Sequence, residues 1–411
     1  MISDQKPPKP LQQNTLKNMP ATLTSSRELI VPYFESLLKT TPVGPHSSEL
    51  AYALGWITPN GDDSTWAIQD SAYFGSYLKD PSTNEVVRPS DSTLWEIGSC
   101  TKTFAAMSYA FHLAKGHVQR DDKVLPTIAP YLPSTDNLPA ALTTMTWDDL
   151  RTMRSQLVGN QHKGPSIESS SSVETFFQDL TNKSNYTGNS LFNYSNSSYA
   201  LLGFGMLIVA HSLKSSTPLS FDEFLPKLRE YWYDTLFSPI GMPDTQLFNQ
   251  QKVDSYDIPH WQNSPLKKAN WPAHTPAGGL LTTMPDALNW LTANMKPNGA
   301  VPANVIENMR SHPSHTQTSK SNPRKRSGEG QYIANGWFEK FYPSLCAPGK
   351  QNSIFIKGGS VPHFRASFAY AKPDNGAISQ KGIVILTNDD ELSLQPITQN
   401  LMDLLIHEIP D

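Results

Sequence analysis

The chain has 411 residues, 38% of them hydrophobic and 17% charged, which allows a large core and excludes global disorder. A net charge of −4 gives no general attraction for nucleic acid, and the two cysteines, Cys100 and Cys346, make no disulfide framework. No stretch is apolar over the roughly 20 residues of a membrane span, the opening MISDQKPPKPLQQNTLKN lacks the apolar segment of a secretory signal, and few cysteines suit a reducing compartment, so a cytoplasmic location is expected.

In chain order, residues 1–24 read as a polar disordered tail. Arg27 to Lys39 has helical spacing, with Leu29, Ile30, Tyr33, Phe34, Leu37 and Leu38 on one face. Glu49–Thr58 and Thr65–Leu78 flank PNGDDS and predict a β-hairpin. Thr101 to Lys115 predicts a helix stopped by Gly116. Helical pieces follow at Trp147–Met153, Val173–Leu180, Ser197–Ser212 and Phe221–Leu236, joined by Ser/Asn/Pro-rich connections such as GPSIESSSS. Strands return at Ser353–Lys357 and Ala366–Ala371 around a Gly/Pro-containing segment, then a turn at Lys372–Gly376 and a buried strand, GIVILT, at Gly382–Thr387. Leu394 to Glu408 predicts a closing helix.

The expected fold class is α/β, with an antiparallel sheet flanked by helices and built from both termini. Residues 25–120 and 270–411 would form that domain, and 121–269 an inserted all-α domain.

Ser99 and Lys102, in WEIGSCTKTF, stand three residues apart at the predicted helix start, and three apart is one helix face. Ser-x-x-Lys also occurs at Ser3/Lys6, Ser36/Lys39, Ser76/Lys79 and Ser264/Lys267, and a serine at a helix start is commonly an N-cap, so the pattern alone favours a cap. A serine nucleophile needs a base in reach and donors for the developing oxyanion. Two motifs supply candidates: Tyr194-Ser195-Asn196 and Lys357-Gly358-Gly359-Ser360. A tyrosine beside lysines can work as a phenolate base. Asn196 could orient a substrate carbonyl or Lys102, and paired glycines let a substrate approach a strand edge closely.

In that order and at those spacings the three motifs resemble the serine β-lactamase-like family, comprising class C β-lactamases and related D-peptidases, carboxylesterases and acyltransferases. LWEIGSCTKTFAAM, FSPIGMPDTQL and TPAGGLLTTMPDALNWL are similar to its other segments, over about residues 30–408. The resemblance implies that Ser99 forms an acyl-enzyme, Lys102 and Tyr194 move the proton, and the N–H groups of Ser99 and Ser360 hold the oxyanion. Lys357 would tune Tyr194. A small-molecule substrate is implied, and no metal or organic cofactor, no nucleic acid and no membrane partner.

Several positions depart from the family pattern. Gly358 stands where β-lactamases carry a hydroxyl residue, and Ser360-Val361-Pro362-His363-Phe364-Arg365 replaces small residues, with His363 and Arg365 as candidate substrate contacts. Met153-Arg154-Ser155-Gln156-Leu157 replaces another common stretch. These changes argue against β-lactam hydrolysis. They leave an esterase or lactonase, an acyltransferase of secondary metabolism, or a non-hydrolytic descendant that binds or rearranges its ligand. The basic run Lys320–Arg326 reads as a solvated loop, and His312/His315 are too close to Pro313 to read as a metal pair.

Overall fold

The computed structural model describes residues 25–40, 50–60, 67–80, 85–159, 166–248, 258–259, 272–311, 314–315, 331–341, 353–372, 381–389 and 391–409. The tail 1–24, the run Lys320–Arg326, His312 and residues 373–376 of the expected turn lie outside the described residues.

An eight-stranded antiparallel sheet organises the chain. Its strands are β1 (Ala51–Pro59), β2 (Ala67–Gly75), β3 (Ser314–His315), β4 (Gln331–Ala334), β5 (Trp337–Phe341), β6 (Ser353–Val361), β7 (Phe364–Lys372) and β8 (Gly382–Thr387). The spatial order is β2-β1-β8-β7-β6-β5-β4-β3, so strands from both ends of the sequence meet where β1 pairs β8.

Side-chain parity explains the near-continuous apolar runs of β1 and β8. In β1, Ala51, Ala53 and Ile57 enter one core, while Tyr52, Leu54 and Trp56 enter another on the opposite face. Val384 and Leu386 of β8 divide from Ile383 and Ile385 in the same way. The second core is closed by α1 (Ser26–Thr40) and the C-terminal helix, Leu394–Glu408, both where the periodicity placed them. The first core continues into the helices of the middle of the chain.

Those helices include α2 (Lys102–Ala114), α3 (Val173–Asp179), α4 (Asn196–Ser212) and α5 (Phe224–Trp232). Helix α4 is buried on all sides from Ser197 to Val209, which is why its apolar pattern shows no single face. Helix α6 (Met284–Met295) begins at Thr283, whose side chain accepts from the Asp286 N–H. Among the described residues, no helix is long and apolar enough to cross a membrane.

Three sequence expectations need correction. The helix expected over Phe221–Leu236 is a 3-10 turn, then α5, then a π turn over Tyr233–Phe237, and the run ends at Gly241 with φ +80°. The helix from Trp147 stops at Arg151, because Met153 takes φ +56°. The Gly/Pro segment between the late strands is mostly strand: Gly358 and Gly359 pair with Ser367 and Ala366, leaving only Pro362 and His363 to turn.

Candidate active site

Ser99 lies in a 3-10 turn, Gly98–Thr101, that leads directly into α2. It is not a helix cap: Ile97 and Thr101 hold the two cap positions, neither with a side-chain cap bond. The turn frees the Ser99 hydroxyl from backbone duty, and Lys102 then points back at it over one turn.

Lys102 is completely buried. Its Nζ meets the Ser99 Oγ at 3.0 Å, the Asn196 Oδ1 at 2.6 Å and the Ala277 carbonyl at 2.8 Å. Two of these groups can only accept from it. A neutral Lys102 would spend its two hydrogens on Asn196 and Ala277, and its lone pair would then face the Ser99 hydroxyl. Burial holds the ammonium below its ordinary range; Tyr194 opposes that shift, Lys357 adds to it, and Glu168 opposes it more weakly.

Tyr194 closes the other side. Its hydroxyl accepts from Lys357 Nζ at 3.1 Å and is hydrogen-bonded to Ser99. Burial pushes the phenol up, but Lys102, Lys357 and the bonds from Ser99 and Lys357 pull it down further, to about 7. Lys357 reaches Tyr194 because it shares parity with Phe355 and Val361, which face the core on the helical side of the sheet. Its ammonium also sits 5.0 Å from the Phe338 ring centre, and Phe338 stacks on Tyr194 at 6.4 Å.

Glycine decides how closely β6 approaches the Ser99 turn. A Cβ on Gly359 would stand 1.9 Å from the Ile97 carbonyl oxygen, and one on Gly98, at φ +46°, would stand 2.8 Å from the Ser360 nitrogen. The Cys100 thiol, pushed up to about 12 by burial, donates to the Lys357 carbonyl at 3.3 Å and pins the same contact. The Ser360 backbone therefore lies beside the Ser99 turn, where an oxyanion donor would be needed.

The structure thus gathers Ser99, Lys102, Tyr194, Asn196, Lys357, Gly359 and Ser360. His363 lies in the β6–β7 turn, and Arg365 stands in β7 directly across from Ser360. His363 takes φ +69°, and Arg365 Nη1 donates to the carbonyls of Val361 and Phe364 at 3.1 and 3.0 Å. Sequence reasoning missed Phe338, the Ala277 carbonyl, His274 and Glu168. Ala277 lay inside a quoted segment, but a backbone acceptor leaves no mark in residue type. Among the described residues, no group of three or more His, Cys, Asp or Glu could hold a metal ion.

The Beta-lactamase family model matches residues 68–403. Solved structures share the fold at low identity. A class C beta-lactamase superposes with a TM-score of 0.63 at 18% identity, covering 96% of this chain and 100% of that one. The octameric penicillin-binding protein homologue from Pyrococcus abyssi gives 0.65 at 19%, covering 92% and 77%. A beta-lactamase/D-alanine carboxypeptidase from Yersinia pestis, complexed with citrate, gives 0.63 at 17%, covering 93% and 100%. No curated protein sequence matches the chain significantly. With the family match running from β2 into the last helix and the large antiparallel sheet in place, the chain belongs to the Beta-lactamase family of serine hydrolases.

Proposed function

We propose that the protein is a serine hydrolase that forms an acyl-enzyme at Ser99 and acts on an ester or lactone of a small molecule. One observation carries the reading: Lys102 Nζ is fixed by Asn196 Oδ1 and the Ala277 carbonyl, with its remaining valence toward Ser99 Oγ. In the proposed step the Ser99 proton passes to the Lys102–Tyr194 pair as Oγ attacks the carbonyl carbon. The N–H groups of Ser99 and Ser360 receive the oxyanion. The proton then goes to the leaving alkoxide, and water repeats the sequence in reverse to release the acid.

An ester or lactone suits the site better than a β-lactam for a reason in the wall. Gly358 stands where β-lactamases carry a hydroxyl residue, so the side chain they place at this point of the strand is missing. The test is intact mass after incubation with 4-nitrophenyl butyrate, wild type against Ser99→Ala. A butyryl adduct and nitrophenol release that both vanish in Ser99→Ala uphold the reading; equal turnover in the variant overturns it. An acyl transfer that outruns hydrolysis when alcohol or amine acceptors are added would reassign the second half-reaction to an acyltransferase.

A further inference from the structure

A second polar layer lies behind Lys102, and the proposed proton transfers make no use of it. Glu168, in the 3-10 turn Ile167–Ser169, directs its carboxylate onto the start of α4. Its Oε1 accepts from Ser195 Oγ and from the Ser197 N–H, each at 2.9 Å. Those two residues bracket Asn196, and Ser195 follows Tyr194 directly. Ser195 Oγ in turn accepts from the Ser198 N–H at 3.2 Å. The other edge of the layer is Ser197 Oγ, 3.2 Å from His274 Nε2; His274 opens the turn that ends in the Ala277 carbonyl. Burial, with Lys102 nearby, pushes His274 down to about 3, so it is neutral at working pH and Glu168 is the one carboxylate in this layer.

The carboxylate does not fill its own needs here. Its Oε2 is buried and has no hydrogen-bond partner among the described residues. Burying half a carboxylate costs stability unless positive potential compensates it. That potential comes from the first N–H groups of the 17-residue helix α4, and Glu168 in turn weakly opposes the downward shift of Lys102. An ordinary helix cap needs only Ser195, which already bonds the Ser198 N–H. Glu168 adds a lock on both sides of Asn196.

We propose that Glu168 is the positioning residue of this site: its carboxylate holds the Tyr194-Ser195-Asn196 turn against α4, so that the tyrosine hydroxyl and the asparagine amide converge on Lys102. The importance of that convergence rests on the acyl-enzyme reading; the convergence itself does not.

The test separates the two. Tyr194 is titrated by its tyrosinate absorbance, as the difference between each protein and the same protein carrying Tyr194→Phe; no turnover is involved. The groups facing the phenol are Lys102, Lys357 and Ser99. Glu168→Gln keeps an Oε1 acceptor for Ser195 and Ser197 and leaves the midpoint near the wild-type value of about 7. Glu168→Ala frees the turn, Tyr194 moves off the lysines, and the midpoint rises by at least about one unit toward 10. If Glu168→Ala does not fold, Glu168→Asp, which keeps the charge but shortens the reach, is read the same way. An upward shift in the alanine or aspartate variant with none in glutamine upholds the proposal. A wild-type midpoint in the alanine variant (in the aspartate variant, if alanine does not fold), or an equal upward shift in glutamine, overturns it. Butyryl labelling of Ser99 in the same wild-type protein decides the acyl-enzyme reading on its own.

Discussion

The Lys357 ammonium donates to the Tyr194 hydroxyl at 3.1 Å and lies 4.9 Å from the centre of the same ring, so one cation engages both the oxygen and the π face. Lys102 stands 5.1 Å from that ring centre. A buried phenol between two lysines loses its proton more readily than a free one, and the phenolate completes a charge pattern that two buried cations alone would leave repulsive.

Replacing Lys357 by methionine keeps the bulk and removes the charge. Tyr194 then titrates upward, toward its ordinary value of 10.0, and its base form becomes scarce at neutral pH. On the proposed mechanism, ester turnover at pH 7 falls about 100- to 10,000-fold, the usual weight of a positioned base. Steady-state kcat/KM across pH checks this: the acid limb must move to higher pH in Lys357→Met. A loss of rate with an unmoved limb would assign Lys357 to substrate binding instead.

The sign of the wild-type pH dependence follows from the same pair. Tyr194 is pulled down to about 7, so the proton-accepting form predominates above that pH and disappears below it. Nitrophenol release should fall about tenfold for each pH unit below the midpoint, as expected for loss of one base. Because Tyr194 and Lys102 share the Ser99 proton, the midpoint belongs to the pair, and single-residue variants should shift it rather than abolish it. A flat profile between pH 5 and 8 would remove both residues from the proton path.

Much of this arrangement is legible in residue types. Apolar runs beside turn residues marked β1 and β8, and helical spacing marked α1 and α2. Helix α6 and strands β4 and β5 went unmarked, because short paired strands such as Gln331–Ala334 are held by neighbours rather than by local pattern. The cap that the Ser-x-x-Lys pattern alone favours is not formed, because Ser99 lies inside a 3-10 turn, invisible in spacing, that runs into α2. Glu168 stayed hidden in GPSIESSSS, where serine-rich composition spells a connection; its partners are in α4, and only folding brings them together. The Asn-x-Ser/Thr patterns at Asn182, Asn185, Asn193 and Asn196 show the same limit. Asn185 and Asn193 spend their amides on the carbonyls of Asp179 and Leu157, and Asn196 is committed to Lys102, which no acceptor pattern reveals.

The two glycines of the β6 motif should respond oppositely to a small side chain. A Cβ at Gly359 meets the Ile97 oxygen at 1.9 Å, and backbone cannot yield there without moving Ser99. Gly359→Ala should destabilise by about 1–3 kcal/mol as an overpacked site does. Its acylation rate should drop more steeply than its stability. At Gly358 the nearest atom is the Ala366 oxygen at 3.9 Å, so Gly358→Ser should fold with stability within about 0.5 kcal/mol of wild type. Urea unfolding of both variants decides the contrast, and equal destabilisation would mean that β6 does not lie against the Ser99 turn.

Behind Lys102, one of the contacts that hold helix α2 is an aromatic stack. Phe104 lies face to face on Trp290, centroids 3.6 Å apart at 9°, and is 1% exposed. The Trp290 indole N–H donates to Thr103 Oγ1 at 2.9 Å, and that hydroxyl donates to the Cys100 carbonyl at 2.8 Å, inside the Ser99 turn. Phe104→Ala removes the stacked ring from a closed core and should cost about 3–5 kcal/mol. Trp290→Phe keeps a ring on Phe104 but removes the indole donor, which should cost less from the hydrogen bond, about 0.5–1.5 kcal/mol, plus a transfer loss for the smaller ring. Urea midpoints should therefore rank wild type above Trp290→Phe above Phe104→Ala, with unchanged slopes. The reverse order would mean that the indole's bond to Thr103, rather than the ring stack, fixes the start of α2.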